Sequence, residues 1–553
     1  MSNCIAEGLF RVPPFPGAPP ASFMHSAPGR PHFDPDEAAE ALRAISRERV
    51  GGEYWAAQPA LPYPAYTLVK LPTAAQLTDT LDQLSGKPTL VWRSEGGRAM
   101  AGSALAEVAG SCDPWHVISR ATRVVTGADD ELALIAAIAG VPLECVGEGA
   151  FKALAGTAVS GKVLQQVFGE LFMRQCTYRD PFTGESIPLR RVIEISVFWK
   201  RLIHSNRDLR AAAGFAFWKQ PTVAPLLWNG ATEVPFDARR EITRGESVAV
   251  WKSRVAPAVL ANLTAKGANL VEVEDGFIRS AGLGADCVPP LSITIDRRGI
   301  YFDPSQPSDL ENLLAKGHFS SDLVERAGGL REVIVTSGLS KYERGTARLE
   351  RRGDRRHILV PGQVEDDRSV QCGGGAVKTN LELLRRARQE GPDAHIIYKP
   401  HPDVEAGHRV GAIAAEECFQ FADEIVRDVP ISSLIDMVDE VHVNTSLAGF
   451  EALLRGKSVT THGVPFYAGW GLTRDLGPVP DRRGRPRTID ELVAAVLLLY
   501  PRYLDPETKL PCPPEILIQR LSKANSAPKR GLLVRLRKLQ GRLRRGLIGA
   551  QAR

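Results

Sequence analysis

The 553-residue sequence lacks the patterns that mark several classes of protein. No segment approaches the run of about 18 apolar residues that a membrane-spanning helix requires. The N-terminal segment lacks the basic and apolar blocks of a signal peptide. The eight cysteines include no C-x-x-C pair, which argues against a zinc site or a disulfide framework. We therefore expect a cytoplasmic protein without a metal site.

Charge is unevenly distributed along the chain. Residues 520–553 contain eight arginines, three lysines and no acidic residue. Because the whole chain carries a net charge of +5, the residues before this tail carry −6. A body without excess positive charge argues against nucleic-acid binding as the main function. The contents of 44% hydrophobic and 24% charged residues are typical of a globular protein.

Composition and periodicity divide the chain into six segments, with two doubly wound α/β halves as the main architecture. A strand at 247–251 begins the first half, the run 332–337 closes it, and a strand at 357–360 begins the second. Further strands are expected at 291–295 and 299–302. In order, we expect a disordered arm (1–35), a truncated and degenerate copy of the main module (36–170), a helical linker (171–240), the first Rossmann-like half (241–350), the second half (351–519) and a basic amphipathic tail (520–553).

The degenerate copy is predicted from a repeated order of elements. The segments 117–149 and 431–463 both alternate helix, strand, helix and strand, and they align when Gly140 is placed on Gly456. The copies differ where chemistry would lie, so we expect the first copy to be catalytically silent. The first copy has Glu95, Asp130 and Ile135 where the second has His401, Ser446 and Glu451.

Two carboxylates mark the end of a predicted strand in the first half. Glu274 ends the alternating run 271–274, and Asp275 follows it at the break before Gly276, where the strand opens into a glycine-rich loop. In α/β folds, ligands bind at such strand ends. The alternative is a pair of solvated turn residues.

Three more polar clusters follow strands of the second half. The acid-rich loop 361–369 contains Asp366 and Asp367, and such a loop can present a carboxylate to the anomeric carbon of a sugar. Its alternative is a helix N-cap or a solvated loop. Lys399 and His401 lie among prolines, where a fixed cation and imidazole suit a phosphate leaving group. Their alternative is a structural turn.

The last cluster begins where a strand ends and a helix starts. Asn444, Thr445 and Ser446 place polar side chains and free backbone N–H groups at one spot, which is typical of a phosphate site. Glu451, one turn into the helix, could reach a ribose hydroxyl. The alternative is an ordinary capping motif.

Several strings resemble one family over about residues 170 to 515. EDGFIRSAGLG, PPLSITID-x-x-GIYFD, PGQVEDDRSV, YKPHPDV and NTSLAGFEALLRGKSVTTHGVPFYAGWGL are similar to capsule polysaccharide biosynthesis proteins of the KpsC/LipB type, which are retaining β-Kdo transferases. The resemblance implies GT-B-like modules, commonly two in tandem. Here the second is complete and the first is eroded, which leaves an alternating synthesis of two linkages in doubt.

The resemblance also implies roles for the candidate residues. It makes Asp367 the nucleophile, with Asp366 the neighbour most easily confused with it, and Glu274 and Asp275 the acid/base candidates. The donor would be CMP-Kdo, with no cofactor. Substrate contacts are assigned to Arg279, Gln363, Lys399, His401, Asn444, Thr445, Ser446 and Glu451.

Two other functions stay open from the sequence. One is transfer of another CMP-sugar, such as a sialic acid, and the other is a non-catalytic role in capsule assembly. The expected partners are a lipid-linked Kdo acceptor, other capsule assembly proteins and an anionic inner-membrane surface. The tail 520–553 would bind that surface, because its leucines form one helical stripe flanked by basic residues. The alternative is that the tail docks on an acidic partner or on the acidic body of the chain.

Overall fold

The computed structural model describes residues 8–25, 31–93, 106–157, 159–237, 241–278, 288–337, 350–407 and 409–526. None of the helices in these ranges combines the length and the apolar character that a bilayer crossing requires. The chain divides into two compact units. The first comprises Met1–Leu209, Ala224–Pro235 and Glu507–Pro511, and the second comprises Arg210–Val223, Phe236–Pro506 and Cys512–Arg553.

A parallel five-stranded sheet lies at the centre of the first unit. The strands of the first unit are β1 (Met24–His25), β2 (Tyr66–Lys70), β3 (Thr89–Arg93), β4 (Ala106–Ala109), β5 (Ala121–Gly127), β6 (Leu143–Val146), β7 (Thr177–Arg179) and β8 (Ser186–Ile187). The five-stranded sheet has the order β4-β3-β2-β5-β6, and its neighbouring strands are parallel. The helices are α1 (Pro35–Glu48), α2 (Ala74–Gln83), α3 (Pro114–Ile118), α4 (Glu131–Ile138), α5 (Gly161–Phe168) and α6 (Leu189–His204), with a 3-10 turn at Lys152–Leu154 and a π-helical turn at Gly169–Arg174.

The segment predicted as a disordered arm is ordered over residues 8–25, and this is a correction to the sequence analysis. Phe10, Phe15 and Phe23 are each at most 2% exposed. Strand β1 also pairs with β7, with Met24 opposite Tyr178. The prolines of this segment suggested disorder, but the three phenylalanines between them bury enough apolar surface to fix it.

The second unit contains two sheets. Its strands are β9 (Leu209–Ala213), β10 (Ser247–Val250), β11 (Asn269–Asp275), β12 (Ser292–Asp296), β13 (His357–Pro361), β14 (His395–Lys399), β15 (Glu424–Ile425), β16 (Glu440–Val443), β17 (Ser458–Thr461), β18 (Arg474–Asp475), β19 (Pro501–Leu504) and β20 (Pro511–Cys512). Its helices are α7 (Gln220–Leu227), α8 (Pro257–Ala265), α9 (Asp309–Lys316), α10 (Ser321–Thr336), α11 (Arg368–Gly373), α12 (Asn380–Glu390), α13 (Pro402–Glu405), α14 (Ala415–Cys418), α15 (Ile431–Met437), α16 (Leu447–Leu454), α17 (Ile489–Val493) and α18 (Pro514–Ser526), with 3-10 turns at Lys252–Arg254 and Asp481–Arg483 and a π-helical turn at Ala494–Leu499.

The two sheets are the predicted Rossmann-like halves. The first half has the order β20-β19-β12-β11-β10-β9, in which β10 and β11 are parallel and β12 is antiparallel to both β11 and β19. The second half has the order β15-β14-β13-β16-β17-β18 and is parallel throughout. Parallel order brings the carboxyl ends of β13, β14 and β16 to one edge, where three of the candidate clusters lie.

The boundaries of the halves differ from the prediction. Residues 210–213 belong to β9, so the segment 171–240 is not only a helical linker but also supplies the edge strand of the first half. After residue 500 the chain returns to the first sheet through β19, so the second half does not run unbroken to residue 519. Short alanine-rich strands such as β9 carry little sequence signal for a strand.

Two predicted runs have other structures. Residues 332–337 form the end of α10, where Ile334 is buried and Val333 is 51% exposed. Helical packing of one face thus overrides the β-branched composition. Residues 299–302 form a turn and not a strand, because the Asp296 carboxylate accepts hydrogen bonds from the backbone N–H groups of Arg298 and Gly299.

Each unit contains the same arrangement of elements when taken by itself. The order β4-β3-β2-β5-β6 repeats as β15-β14-β13-β16-β17. Each unit also has a π-helical turn before a short strand. The hydroxyl of Tyr178 donates to the carbonyl of Phe172 at 2.7 Å, and that of Tyr503 donates to the carbonyl of Leu497 at 2.8 Å. An internal duplication predicts such agreement.

Candidate active site

The first candidate pair occupies the end of β11. The side chains of Glu274 and Asp275 are 16% and 22% exposed. Nη1 of Arg368 lies 3.2 Å from Glu274 Oε1, and Nζ of Lys219 lies 3.3 Å from Asp275 Oδ1. The two adjacent carboxylates are therefore bound by different cations, and the prediction of solvated turn residues does not describe them.

The loop after these carboxylates begins at a glycine that the packing requires. A Cβ atom at Gly276 would lie 2.3 Å from Oγ of Ser292 on the neighbouring strand, so a larger residue would push the two strands apart. Arg279, the substrate-binding candidate farther along the loop, lies outside the described residues.

The electrostatic environment of Glu274 is unusual for a carboxylate. Burial, the largest cause, and the neighbouring charge of Asp275 raise its pKa to about 7. Arg368 and Lys219 act in the opposite direction. A glutamate that titrates near neutral pH is suited to proton transfer.

The second cluster contains both the predicted nucleophile and its neighbour. Asp367 is the N-cap of α11, and its Oδ1 accepts hydrogen bonds from the backbone N–H and the hydroxyl of Ser369, at 2.9 and 2.7 Å. Asp366 is paired with Arg409 at 3.1 Å, and its side chain is 48% exposed. The capping role is therefore realised at Asp367, and both bonds use the same carboxylate oxygen.

Hydrogen bonds link this loop to the last cluster. The Thr445 hydroxyl donates to Ser369 Oγ at 3.5 Å. The Gln363 side chain donates to Thr445 Oγ1 and accepts from the Thr445 backbone N–H, each at 3.0 Å. Thr445 is therefore bonded directly to Gln363 and, through Ser369, to Asp367, so the structure brings these three predicted residues together.

The polar residues at the start of α16 are partly engaged. Ser446 caps the helix by accepting from the Ala448 N–H at 3.2 Å, as the capping alternative predicts. Asn444 is 4% exposed, and its amide donates to the Val377 carbonyl at 3.0 Å. Its Oδ1 is buried without a hydrogen-bond partner. Glu451 is buried within the helix.

The third cluster follows β14 at the same edge. Lys399 is 3% exposed, and its ammonium donates to the Arg427 carbonyl at 2.8 Å. His401 caps α13, with Nδ1 accepting from the Asp403 N–H at 3.1 Å. A neutral His401 in this arrangement carries its proton on Nε2, where it can donate to a phosphate oxygen.

Two contributors to the site were missed in the sequence. Arg368 follows Asp367 directly, and a single arginine in an acid-rich loop was the signal that could have revealed it. Lys219 lies in the segment assigned to a linker, and no pattern there indicated a role. Its ammonium lies 3.2 Å from the ring centroid of Trp251, which fixes it beside Asp275.

The matching helix end of the first unit is occupied by acidic side chains. Asp130 caps α4 and pairs with Lys70 at 3.0 Å. Glu131 pairs with Arg11 at 2.9 Å, and burial raises the pKa of Glu131 to about 7. Ile135, which corresponds to Glu451, is fully buried. Carboxylates therefore stand where a nucleotide phosphate would need cations or free N–H groups.

Throughout the described ranges, no three His, Cys, Asp or Glu side chains are grouped so that they could hold a metal ion. The expectation that the site needs no cofactor stays a prediction.

Comparison with known proteins places the chain among capsule proteins. The family described as "Capsule polysaccharide biosynthesis protein" matches residues 246–351 and 343–503. The capsule polysaccharide modification protein LipA of Neisseria meningitidis serogroup B is 38% identical over 352 residues, which cover 62% of this chain and 50% of LipA. The lipopolysaccharide-processing protein LpsZ of Rhizobium meliloti is 48% identical over 239 residues, which cover 42% of this chain and 54% of LpsZ. The chain thus spans about half the length of these curated relatives.

A solved structure gives a match over nearly its whole length. The chain of Thermosulfurimonas dismutans described as "KpsC, beta Kdo 2,4 transferase" is 31% identical, with a TM-score of 0.50. The match covers 56% of this chain and 98% of that one. The predicted fold class, a GT-B-like pair of Rossmann-type halves, is confirmed.

Proposed function

The chain belongs to the family of capsule polysaccharide biosynthesis proteins, and from this premise we propose that its second unit transfers β-Kdo from CMP-Kdo to a lipid-linked acceptor with retention of configuration. One observation carries the proposal. Arg368, next to Asp367 in the chain, contacts Glu274 at 3.2 Å, so the loop of the proposed nucleophile meets the strand of the proposed acid/base. The similarity to a Kdo transferase supplies the choice of sugar.

In the first step, a carboxylate oxygen of Asp367 attacks the anomeric carbon of Kdo. The bond from that carbon to the phosphate oxygen breaks, and CMP leaves with the electron pair. The cap geometry supports this role, because both bonds from Ser369 hold Oδ1 and fix the orientation of the carboxylate.

In the second step, a hydroxyl of the acceptor attacks the same carbon. Glu274 or Asp275 takes the hydroxyl proton as the new glycosidic bond forms and the Asp367 carboxylate is released. Each step inverts the anomeric centre, so the product has the configuration of the donor. The pKa of Glu274, raised to about 7 by burial, supports its use as the base near neutral pH.

The second half of the unit holds the nucleotide. His401 and Lys399 neutralise the phosphate of CMP as it leaves, while Thr445, Ser446 and the N-terminus of α16 bind it through hydroxyl and N–H groups. Asn444, with its unpartnered Oδ1, accepts a hydrogen bond from the donor sugar or from the base. Glu451 binds the ribose.

Release of CMP tests the proposal and separates it from the alternatives. The full-length protein is incubated with CMP-Kdo or with CMP-sialic acid, each with and without a Kdo-terminated glycolipid. We expect rapid release of CMP from CMP-Kdo when the acceptor is present, and no such release from CMP-sialic acid. Faster release from CMP-sialic acid would favour the other CMP-sugar. If neither donor releases CMP faster with the protein than without it, a non-catalytic assembly role is favoured.

A further inference from the structure

Arg368 connects the two halves of the second unit at the candidate site. It is the first residue of α11 in the second half, and its contacts lie in the first half. Its Nη1 lies 2.7 Å from Glu272 and 3.2 Å from Glu274, both on β11. Its guanidinium carbon lies 4.9 Å from the ring centroid of Phe302. The side chain is 27% exposed, so solvent screens these contacts only in part.

The charges around Glu274 come from three elements. On its own strand lie Glu272 and Asp275, from the segment after β9 comes Lys219, and from α11 comes Arg368. Glu272 has a second cation, Lys252, at 3.4 Å, and Asp275 has Lys219 at 3.3 Å. Glu274 is paired with Arg368 at 3.2 Å.

We propose that Arg368 is a positioning residue that holds the Glu274 carboxylate where the two halves meet and makes its charge depend on contact between them. The inference deepens the proposed function and rests on it. Lys219 and Asp275 both belong to the first half, so their pairing does not depend on that contact. We assign proton exchange with the acceptor to Glu274, because its pKa of about 7 suits a base near neutral pH.

The charges beside Glu274 predict that substitutions of Arg368 and Glu272 shift the pKa of Glu274 in opposite directions. Removing the positive charge of Arg368 raises the pKa of Glu274, because an adjacent cation stabilises the carboxylate form. Removing the negative charge of Glu272 lowers the pKa of Glu274, because repulsion between the two carboxylates is lost and Arg368 is left to Glu274. A purely structural role for Arg368 predicts a loss of rate that is the same at every pH.

The experiment compares the pH dependence of kcat/KM for the acceptor, which reports the second step, in five proteins: wild type, Arg368→Gln, Arg368→Lys, Glu272→Gln and Arg326→Gln. The last is a control, since Arg326 pairs with Glu515 at 2.7 Å and both side chains are at least 40% exposed. Because Glu274 must be ionised to accept the proton, the acidic limb of the profile reports its pKa. We expect Arg368→Gln to move the acidic limb to higher pH by about one unit. Arg368→Lys should restore most of the wild-type position, Glu272→Gln should move the limb down, and Arg326→Gln should leave it in place.

A second readout does not require turnover. The infrared difference spectrum between wild type and Glu274→Gln isolates the band of the protonated Glu274 carboxyl, and its pH dependence gives the midpoint of the Glu274 titration. The difference between Arg368→Gln and the double variant Arg368→Gln/Glu274→Gln gives the midpoint without the arginine. If CMP release occurs but neither the limb nor the infrared midpoint moves in Arg368→Gln, the positioning role is wrong. If the midpoint moves but no donor is turned over, the role of Arg368 stands and the proposed function fails.

Discussion

Asp367 carries two roles that one substitution can separate. It caps α11 through Oδ1, and asparagine caps helices about as well as aspartate. We therefore expect Asp367→Asn to fold normally and to bind CMP nearly as wild type does. Turnover should fall below about one hundredth of the wild-type rate, because the covalent nucleophile is lost. CMP release and a CMP titration measure the two effects.

Asp366→Asn is the matched control. Asp366 is half exposed and paired with Arg409, so its loss should reduce turnover only mildly. A residual rate in Asp367→Asn above the stated hundredth, or a larger loss in Asp366→Asn, would transfer the role of nucleophile to another carboxylate.

A buried cluster in the second half should make stability depend on pH. Burial alone would raise the pKa of Glu440, but hydrogen bonds with His442 and Thr460 lower it to about 2. Burial lowers the pKa of His462 to about 3. Below an ordinary pKa of 6.5 for His462 and 4.5 for Glu440, the unfolded chain binds more protons than the folded one. Stability is thus complete above about pH 6.5 and decreases as the pH falls towards 2–3.

Replacing His462 tests this pH dependence. We expect His462→Gln to reduce the drop in thermal midpoint between about pH 7.5 and pH 5, because one of the groups that takes up a proton on unfolding is removed. Exposed His318 provides the control, since His318→Gln should leave the drop unchanged. An equal drop in wild type and His462→Gln would exclude His462 as a source of the acid sensitivity.

The sequence predicted functional residues best where polar side chains directly follow a predicted strand. Gln363, Thr445 and Asp367 were all assigned to one site, and the structure links them by hydrogen bonds. It could not show that Arg368 reaches Glu274, because that pairing joins residues 94 positions apart and depends on how the halves meet. Lys219 was missed because its partner Asp275 lies 56 positions away in the chain.

At the scale of elements, the two π-helical turns are each closed by a tyrosine hydroxyl whose contribution to stability can be measured. Tyr503 is buried and donates its hydroxyl to the Leu497 carbonyl, as Tyr178 does to Phe172. Tyr503→Phe and Tyr178→Phe each leave a buried carbonyl without this donor, which costs about 1–2 kcal/mol. We expect each variant to lower its own unfolding transition by about 2–8 °C in calorimetry. No change in either variant would mean that these bonds do not stabilise the turns.

The first unit should not bind the nucleotide. Asp130 and Glu131 place two carboxyl groups at the start of α4, and the nearby cations Lys70 and Arg11 are already paired with them. Isothermal titration of the full-length protein with CMP should therefore give one site per chain. His401→Ala and Glu451→Ala should weaken that site, whereas changes at Glu95 and Ile135 should not. A stoichiometry of two would overturn the claim that the first unit is silent.

Periodicity predicted most long elements and the repeated order of strands and helices in both units. It did not predict β9 or the helical end of α10. In β9 the apolar run Ala211–Ala213 lacks β-branched residues, and in α10 the run 332–337 has them. Local propensity favoured the wrong structure in both places, and packing within the sheet or against the core decided the outcome.

At the scale of the whole molecule, residues 520–526 of the predicted tail belong to α18 and residues 527–553 lie outside the described residues, so the membrane role of the tail stays a prediction. We expect the full-length protein to bind vesicles that contain anionic lipid, with binding that decreases as salt increases. Deleting residues 526–553 should abolish this binding and leave activity on a short soluble acceptor intact. Equal vesicle binding by the truncated protein would show that another surface makes the contact.

The central claim is transfer of Kdo from CMP-Kdo by two displacements in the second unit. The most direct measurement is the NMR spectrum of the glycolipid formed by the full-length protein from CMP-Kdo and a Kdo-terminated acceptor, with Asp367→Asn as the control. The account predicts a new Kdo residue with the anomeric configuration of the donor, and no such product from Asp367→Asn. A product of inverted configuration, or the same product formed at the wild-type rate by Asp367→Asn, would contradict it.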